Sequence, residues 1–550
     1  MTGGSPAPLW QPTPGNGLTI PGVLDAQAAA RPDQPLLVID DIPLSYGVLR
    51  ERSISAANVL HGLGIEPGDR VALFMGTCPE WVTLWVGLCR LGAVAVPINT
   101  AYRGDFLANQ LRDSQTKMVA LDRSLADRVF SIAGDVPTLR AALLREDGKP
   151  DPAEAVVPPS QLQVHPIGQL LEGGSSLADG LPALPDLRAF PLGAIFSTSG
   201  TTGRSKGVLA TQHYLLRAAQ AMIDLWQLEP GEVVHGPLPL FHLSAVGTVL
   251  GPMLAGGTGI LDSTFSVSAT WDRVRQYQAS GIALAGAMLS MLWNLPPDPR
   301  DQELPLRFIS AAPVPRESFE AMEQRWGCHI VTCYGMSEAF PLVVAGIDET
   351  KRTGSSGRPN PDFEVLVVDG QDEQLPFGEV GEIVCRPRRS HVMFEGYDGR
   401  DRETVEQFRN LWFHTGDMGR FDEDGYFYFA DRKKDAMRRR GENISSFEVE
   451  QALLRHPAVA EVAAVGVPSE LGEDDVMVYL VAEAGQHIEI EPFMDFCCDH
   501  LPYFAVPRYV EIAAALPKNA VGRVLKHELR ARGVPPSAWD RESAGYAVRR

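Results

Sequence analysis

Hydrophobic and polar positions alternate in blocks along the N-terminal part of the chain. "PLLVIDDIPLSYGVLRERSISAANVLHGLGI" (35–65) reads as a strand, a polar turn, a second short strand and an amphipathic helix. "DRVALFMG" (69–76) is an apolar strand, "PEWVTLWVGLCRLG" (79–92) a helix and "AVAVPIN" (93–99) another strand. Strands alternating with helices predict an α/β domain with a largely parallel sheet. Residues 135–190, rich in Pro, Ala, Gly and Asp, read as a surface stretch. The α/β pattern then resumes. It places helices near 211–227, 244–255 and 315–326, and strands near 233–236, 258–261, 282–285, 307–310 and 329–333.

From 354 to 430 the period shortens. "FEVLVVD", "GEIVCRP" and "MGRFDEDGYFYFADR" predict short strands joined by tight turns, one of them at Asp424–Gly425. "DRKKDAMRRRGENIS" (431–445) has no hydrophobic period and reads as a charged break between domains. Helix, strand, strand, helix and strand follow it, a compact α+β unit. The expected fold class is therefore α/β: a large N-terminal domain of α/β subdomains with a small β-rich subdomain, over 1–434. A small mobile α+β C-terminal domain follows, over 435–550.

Composition narrows the function classes. The formal net charge of −20 argues against a nucleic-acid surface. Seven cysteines without a CxxC make neither a disulfide framework nor a zinc site, and they fit a reducing, cytoplasmic setting. Residues 1–20 are Pro/Gly-rich, read as a loose arm, and lack a signal-peptide pattern. The longest apolar run, Val246–Leu261, is too short and glycine-rich for a membrane span and reads as buried core. Lysine is scarce: the chain has eight, at 117, 149, 206, 351, 433, 434, 518 and 526.

Lys206 lies in "FSTSGTTGRSKGV" (196–208), where glycines and hydroxyl residues surround one cation. A phosphate loop needs converging backbone N–H groups, glycines that permit them and a positive charge. A strand-like segment precedes this stretch and a helix-like one follows, so the loop is expected between a strand and a helix. The spacing matches neither the P-loop nor GxGxxG. On these grounds alone a phosphate loop of another kind and a polar linker both remain open.

The stretch closely resembles the phosphate-loop signature of the adenylate-forming superfamily, which includes acyl-CoA synthetases, peptide-synthetase adenylation domains and luciferases. "CYGMSEAF" (333–340), "WFHTGDMG" (412–419), "ADRKKD" (430–435), "GRPNPDFEVLVVD" (357–369) and "GEVGEIVCRP" (378–387) resemble further motifs of that superfamily, in its order. "VPINTAYRG" and the region from Arg438 to Asp475 look most like bacterial ligases related to crotonobetaine/carnitine-CoA ligase and medium-chain acyl-CoA synthetases.

The resemblance implies attack of a carboxylate on the α-phosphate of ATP, giving an acyl-adenylate, and then transfer to CoA. Thr198, Ser199, Gly200, Thr201, Thr202, Gly203 and Lys206 would hold the β- and γ-phosphates. Ser337 would touch phosphate and Glu338 would hold Mg2+, a hard cation suited to carboxylate and water oxygens. Tyr334 would stack on adenine beside Gly335, Ala311 and Ala312. Asp417 and Arg432 would contact the ribose, with Phe429 near the nucleotide. Read without the motifs, Glu338 is a solvated loop acid and Asp417 a turn residue. His242, in "PLPLFHLSA", resembles the gate of the acyl pocket, although a lone histidine is more often structural. Ala283–Ser290 and residues 334–342, with Met288 and Met336 as adaptable fillers, are expected as pocket walls for a largely apolar acid.

Asp435 matches the hinge about which the family rotates its C-terminal domain between two half-reactions. Arg438, Arg439 and Arg440 read equally as a solvated loop or as phosphate and CoA contacts, and Gly441 would let backbone approach the pantetheine arm. The family's catalytic C-terminal lysine falls on Arg523, a planar fork in place of a compact cation. Lys526, three residues on, is the alternative, and Lys518 is expected to be peripheral. The leading expectation is an acyl-CoA ligase using ATP, Mg2+ and CoA on a small-molecule carboxylic acid, without integral membrane association. The rivals are transfer to a carrier protein or another nucleophile, and a catalytically silent nucleotide-binding regulator. A homodimer stays open.

Overall fold

The computed structural model describes residues 19–149, 157–168, 190–198, 205–314, 319–432, 436–470, 472–517, 524 and 526–549. Two sheets frame the large domain. One has seven strands, in the order Gln163–Pro166, Ala141–Arg145, Met118–Asp122, Arg70–Phe74, Val94–Pro97, Leu192–Thr198 and Lys206–Thr211. All its pairs are parallel except the last. The other has nine strands. Its central run pairs His329–Met336, Phe308–Ala312, Gly281–Ala285, Val233–His235, Thr258–Leu261 and Pro35–Ile39 in parallel, with antiparallel strands at both edges.

The parallel strands read as near-continuous apolar runs because helices cover them. Helices Ile20–Ala30, Tyr46–Gly62, Pro79–Leu91, Gln212–Trp226 and Leu243–Ala255 share one buried core with strands of both sheets. Val246–Leu261 is part of that interior, as a helix and the strand Thr258–Leu261. No helix among the described residues is long and apolar enough to cross a membrane.

Three expectations change. The stretch 135–190 contains two strands of the seven-stranded sheet, Ala141–Arg145 and Gln163–Pro166; Ala141, Ala142 and Leu143 are buried. Residues 150–156 and 169–189 lie outside the described residues, as do 1–18 of the N-terminal arm. Next, the strand Lys206–Thr211 intervenes before the helix and pairs antiparallel with Leu192–Thr198, which sets Thr198 opposite Lys206. The physical cause is the alternation in "KGVLAT", which buries Val208 and Ala210 on a strand.

The third change concerns the charged break. Ala436–Arg439 and Glu442–Ser445 form a two-stranded hairpin, turning at Arg440 and Gly441 with φ of 53° and 80°. A two-residue turn with both φ positive is the favoured hairpin connection. Met437 and Ile444 face each other in the register and are buried in the C-terminal core. Two apolar residues suffice to anchor so short a hairpin, too few to leave a period in the sequence.

Strands Phe363–Val368, Gly381–Pro387, Phe408–Arg409, Trp412–Phe421 and Phe427–Arg432 form the β-rich unit. The C-terminal part carries a four-stranded sheet, Val459–Pro468, Asp474–Ala482, Tyr509–Ile512 and Trp539–Asp540, with helices Ser446–Leu453, Ile490–His500 and Lys526–Ala531. Its core also takes in Ala101, Tyr102 and Phe106 of the large domain, which docks the two parts together.

Candidate active site

A cleft of about 1750 Å³ opens where the two large sheets, the β-rich unit and the C-terminal part meet. It lies at the C-terminal ends of the parallel strands, where α/β sheets present their loops. Of the expected site residues, Thr198, Lys206, His242, Ala311, Ala312, Tyr334, Gly335, Ser337, Glu338, Asp417, Phe429 and Gly441 line it.

On the phosphate side, the Lys206 ammonium pairs with Glu403 at 3.0 Å and lies 4.4 Å above the Tyr397 ring. The Tyr397 hydroxyl donates to Glu338 at 2.8 Å. Glu338 is buried, and burial pushes its carboxyl pKa up, with Tyr397 and Lys206 opposing. These groups converge because residues 395–398 continue the sheet past Lys206–Thr211: Leu209 N–H donates to Gly396 and Asp398 N–H to Gly207. Ser337 contributes its carbonyl to the Tyr214 hydroxyl at 3.1 Å. Ser199, Gly200, Thr201, Thr202 and Gly203 lie outside the described residues.

On the nucleoside side, the Tyr334 hydroxyl donates to Asp417 at 2.8 Å. The Tyr334 ring packs against Phe427 and Phe429, with centroids 5.2 and 5.9 Å apart. Asp417 and Arg432 are direct cross-strand partners in the register, so one turn of sheet brings both expected ribose contacts to one place. Ala311 and Ala312 end the strand beside Leu284 and Ala285. At Gly335 a Cβ would fall 2.9 Å from the Ala339 carbonyl oxygen, so the close approach of the two strands requires glycine.

On the acyl side, Met222, Trp226, Phe241, Ala283, Ala287, Met288, Cys333, Met336 and Phe340 line the cleft without a charged side chain among them. His242 precedes helix Leu243–Ala255, and its Nε2 meets the Glu442 carboxylate at 3.1 Å. Glu442 also accepts from Asn99 at 3.2 Å. The tip of the C-terminal hairpin thus enters the cleft, where a Cβ on Gly441 would lie 3.5 Å from Ala285. Glu448, on the following helix, accepts from the Ser205 N–H at 2.8 Å, at the edge of the phosphate hairpin.

The arginine cluster divides. Arg438 and Arg440 line the cleft. Arg439 turns inward instead: it is buried, pairs with Asp475 at 3.0 Å and donates to the Phe504 and Val506 carbonyls. Lys526 is not among the cleft residues. Its ammonium pairs with Glu450 at 2.6 Å and donates to Ser446 at 2.8 Å, both within the C-terminal part. Arg523, Asp435, Lys433, Lys434 and Lys518 lie outside the described residues. Tyr397, Glu403, Asn99, Glu442 and Glu448 were missed in the sequence; each meets a site partner that lies far along the chain. The one available signal was "GENIS", directly after the arginine cluster.

The model of the AMP-binding enzyme family matches residues 24–397, and that of the AMP-binding enzyme C-terminal domain matches 448–523. The chain belongs to the AMP-binding enzyme family. Crotonobetaine/carnitine–CoA ligase of Salmonella typhi is 32% identical over 494 residues, covering 88% of this chain and 93% of that protein. Among solved structures, an o-succinylbenzoate CoA synthetase variant from Bacillus subtilis with a bound product analogue superposes with a TM-score of 0.78 at 24% identity, covering 93% of this chain and 98% of that one. ATP-bound MatB from Rhodopseudomonas palustris gives 0.66 at 26% identity, covering 92% and 98%. The mixed α/β body with a small C-terminal domain is thus this family's fold.

Proposed function

We propose that the protein is an ATP- and Mg2+-dependent acid–thiol ligase. It joins a largely apolar carboxylic acid to the α-phosphate of ATP, releasing pyrophosphate. It then passes the acyl group from the adenylate to CoA, releasing AMP. The observation that carries this reading is one cleft with three distinct walls: a cation and hydroxyls, a carboxylate with aromatic rings, and an uncharged apolar floor.

Each wall suits one part of the reaction. Negative charge builds on phosphate oxygens as the carboxylate attacks, and the Lys206 ammonium stabilises it there. ATP phosphates would draw the lysine from Glu403, a half-exposed partner. Glu338 fits a Mg2+ site: a buried carboxylate facing the cleft beside Tyr397, whose desolvation a bound cation would offset. When bound there, the cation supplies charge neutralisation for the triphosphate. Asp417, beside Arg432, accepts from ribose hydroxyls, while Tyr334, Phe429, Ala311, Ala312 and Gly335 bound the adenine space. The floor around Trp226, Ala283 and Cys333 takes an apolar acyl group, since a charged one would be desolvated there without a partner.

The boundary of the two moving parts is placed at 434/435, with Asp435 as hinge. The C-terminal cation of the adenylation step is assigned to Arg523, because Lys526 is already paired with Glu450 and Ser446 and is not among the cleft residues. A cytoplasmic setting fits seven free cysteines, six of them buried. The test is an assay of AMP and acyl-CoA formation from ATP, Mg2+, CoA and a panel of straight-chain and aromatic acids. Acyl-CoA from apolar acids is the expected result. AMP-forming hydroxamate trapping without CoA consumption would instead point to another acceptor.

A further inference from the structure

One short segment, 394–398, is bonded to two parts of the cleft that lie far apart in the chain. On one side it meets the strand Lys206–Thr211. Glu395 N–H donates to the Leu209 carbonyl at 2.9 Å, Leu209 N–H to Gly396 at 3.0 Å and Asp398 N–H to Gly207 at 2.8 Å. Tyr397 therefore stands opposite Val208 in the register. On the other side, Phe394 N–H donates to the Glu338 carbonyl at 2.9 Å. Tyr397 is itself held from several directions. It is buried, its N–H donates to Thr404 at 2.9 Å, and its ring meets Phe394 edge-on with centroids 5.1 Å apart.

Both functional parts of this side chain are engaged. The hydroxyl donates to Glu338 Oε1 at 2.8 Å, and the ring face carries the Lys206 ammonium 4.4 Å from its centroid. Glu338 is 8% exposed, and a carboxylate so far out of water turns to whatever donor is near. A phenol fixed by its own backbone and ring contacts settles which oxygen is taken and how the carboxylate is turned. The aromatic face attracts the ammonium without bringing a second negative charge that a triphosphate would have to displace. The one carboxylate on Lys206 is Glu403, at 3.0 Å and 39% exposed. We propose that Tyr397 is a positioning residue that sets Glu338 and Lys206 in register, its hydroxyl serving the metal carboxylate and its ring the phosphate cation. This inference rests on the ligase reading above. Every group in it lies between residues 206 and 404, so it needs nothing from the C-terminal part.

Hydroxyl and ring can be removed separately. Tyr397→Phe keeps the ring and loses the bond to Glu338, whereas Tyr397→Leu loses both. Calorimetry on the full chain measures ATP affinity in EDTA and in saturating Mn2+, the probe metal, and the ratio of the two is the gain due to the metal. For Tyr397→Phe the expected result is a gain reduced about 10-fold, with metal-free ATP affinity within about twofold of wild type. For Tyr397→Leu the gain falls likewise, and metal-free ATP affinity also drops about fivefold as Lys206 loses its ring. A merely structural role would not split the two measurements in this way. An unchanged metal gain in Tyr397→Phe, equal loss of metal-free ATP binding in both variants, or no gain from Mn2+ in the wild type would each overturn the proposal. The ligase reading is judged apart: a wild-type protein that binds ATP and Mn2+ but forms no acyl-CoA with any acid of the panel would sink that reading, while the binding measurements still decide the role of Tyr397.

Discussion

Two lysines of this chain have nearly the same surroundings by every local measure. Lys206 and Lys526 are 14% and 16% exposed, and each pairs with one glutamate, at 3.0 and 2.6 Å. Only Lys206 faces the cleft. Its partner Glu403 is 39% exposed and its ring neighbour Tyr397 leads directly to Glu338. Lys526 meets Glu450, 14% exposed, and Ser446, both inside its own small domain. Charge and burial therefore do not separate a substrate-binding cation from a structural one. What separates them is whether the partner can be exchanged for a ligand without unpairing a buried charge.

The sharpest way to break that comparison is Lys206→Ala. Losing a preorganised charge at the phosphates should cut ATP–pyrophosphate exchange by about 100- to 1,000-fold while leaving the melting temperature nearly unchanged. Lys526→Ala should do the reverse. Glu450, 14% exposed, would lose the cation that pairs with its buried carboxylate, costing the C-terminal domain about 3 kcal/mol. Chemical denaturation followed by probes in each domain would show it, and a large loss of exchange without destabilisation would move the catalytic role back to Lys526. For Arg523→Ala the expectation is slower exchange by roughly 10- to 100-fold with unchanged transfer from preformed adenylate.

Gly441→Ala tests the hairpin that brings the C-terminal part to the cleft. At φ of 80° a side chain costs about 1 kcal/mol. Transfer to CoA should slow several-fold and adenylation should not, read from the same two half-reactions. The smallest effect concerns pH. Burial, reinforced by Arg217, holds the His213 pKa down at about 4. Its folded-state value lies below its unfolded one, so the associated stability is present above the ordinary histidine range. It is lost as pH falls from there toward 4. His213 lies on the helix that follows the phosphate hairpin. Thermal unfolding monitored between pH 7 and 4 should therefore weaken the domain carrying Lys206 by about 1–2 kcal/mol more than in a His213→Phe variant. Equal pH dependence in both proteins would remove His213 from the account.

How legible each region was follows from how its residues meet. Helices 212–226, 243–255 and the strands around 258–261 and 281–285 were readable because many apolar residues that are buried together stand close together in the chain. The hairpin 436–445 was not, since a single apolar pair, Met437 and Ile444, anchors it beneath a row of charges. The arginine cluster shows the same limit. Nothing in "RRR" distinguishes Arg439, buried on Asp475, from its neighbours at the cleft.

The sequence by itself determined the α/β alternation, the shift to short β strands after 354 and the phosphate-loop and Tyr-Gly-Met-Ser-Glu motifs, because these depend on neighbours in the chain. Only the tertiary structure decided that Lys206, Tyr397 and Glu338 form one cluster, that Lys526 serves Glu450, and that Glu442 reaches His242 from another domain. The physical reason is range. Backbone periodicity and turn chemistry act over a few residues, whereas a carboxylate's partner is whatever the fold sets within about 3 Å of it.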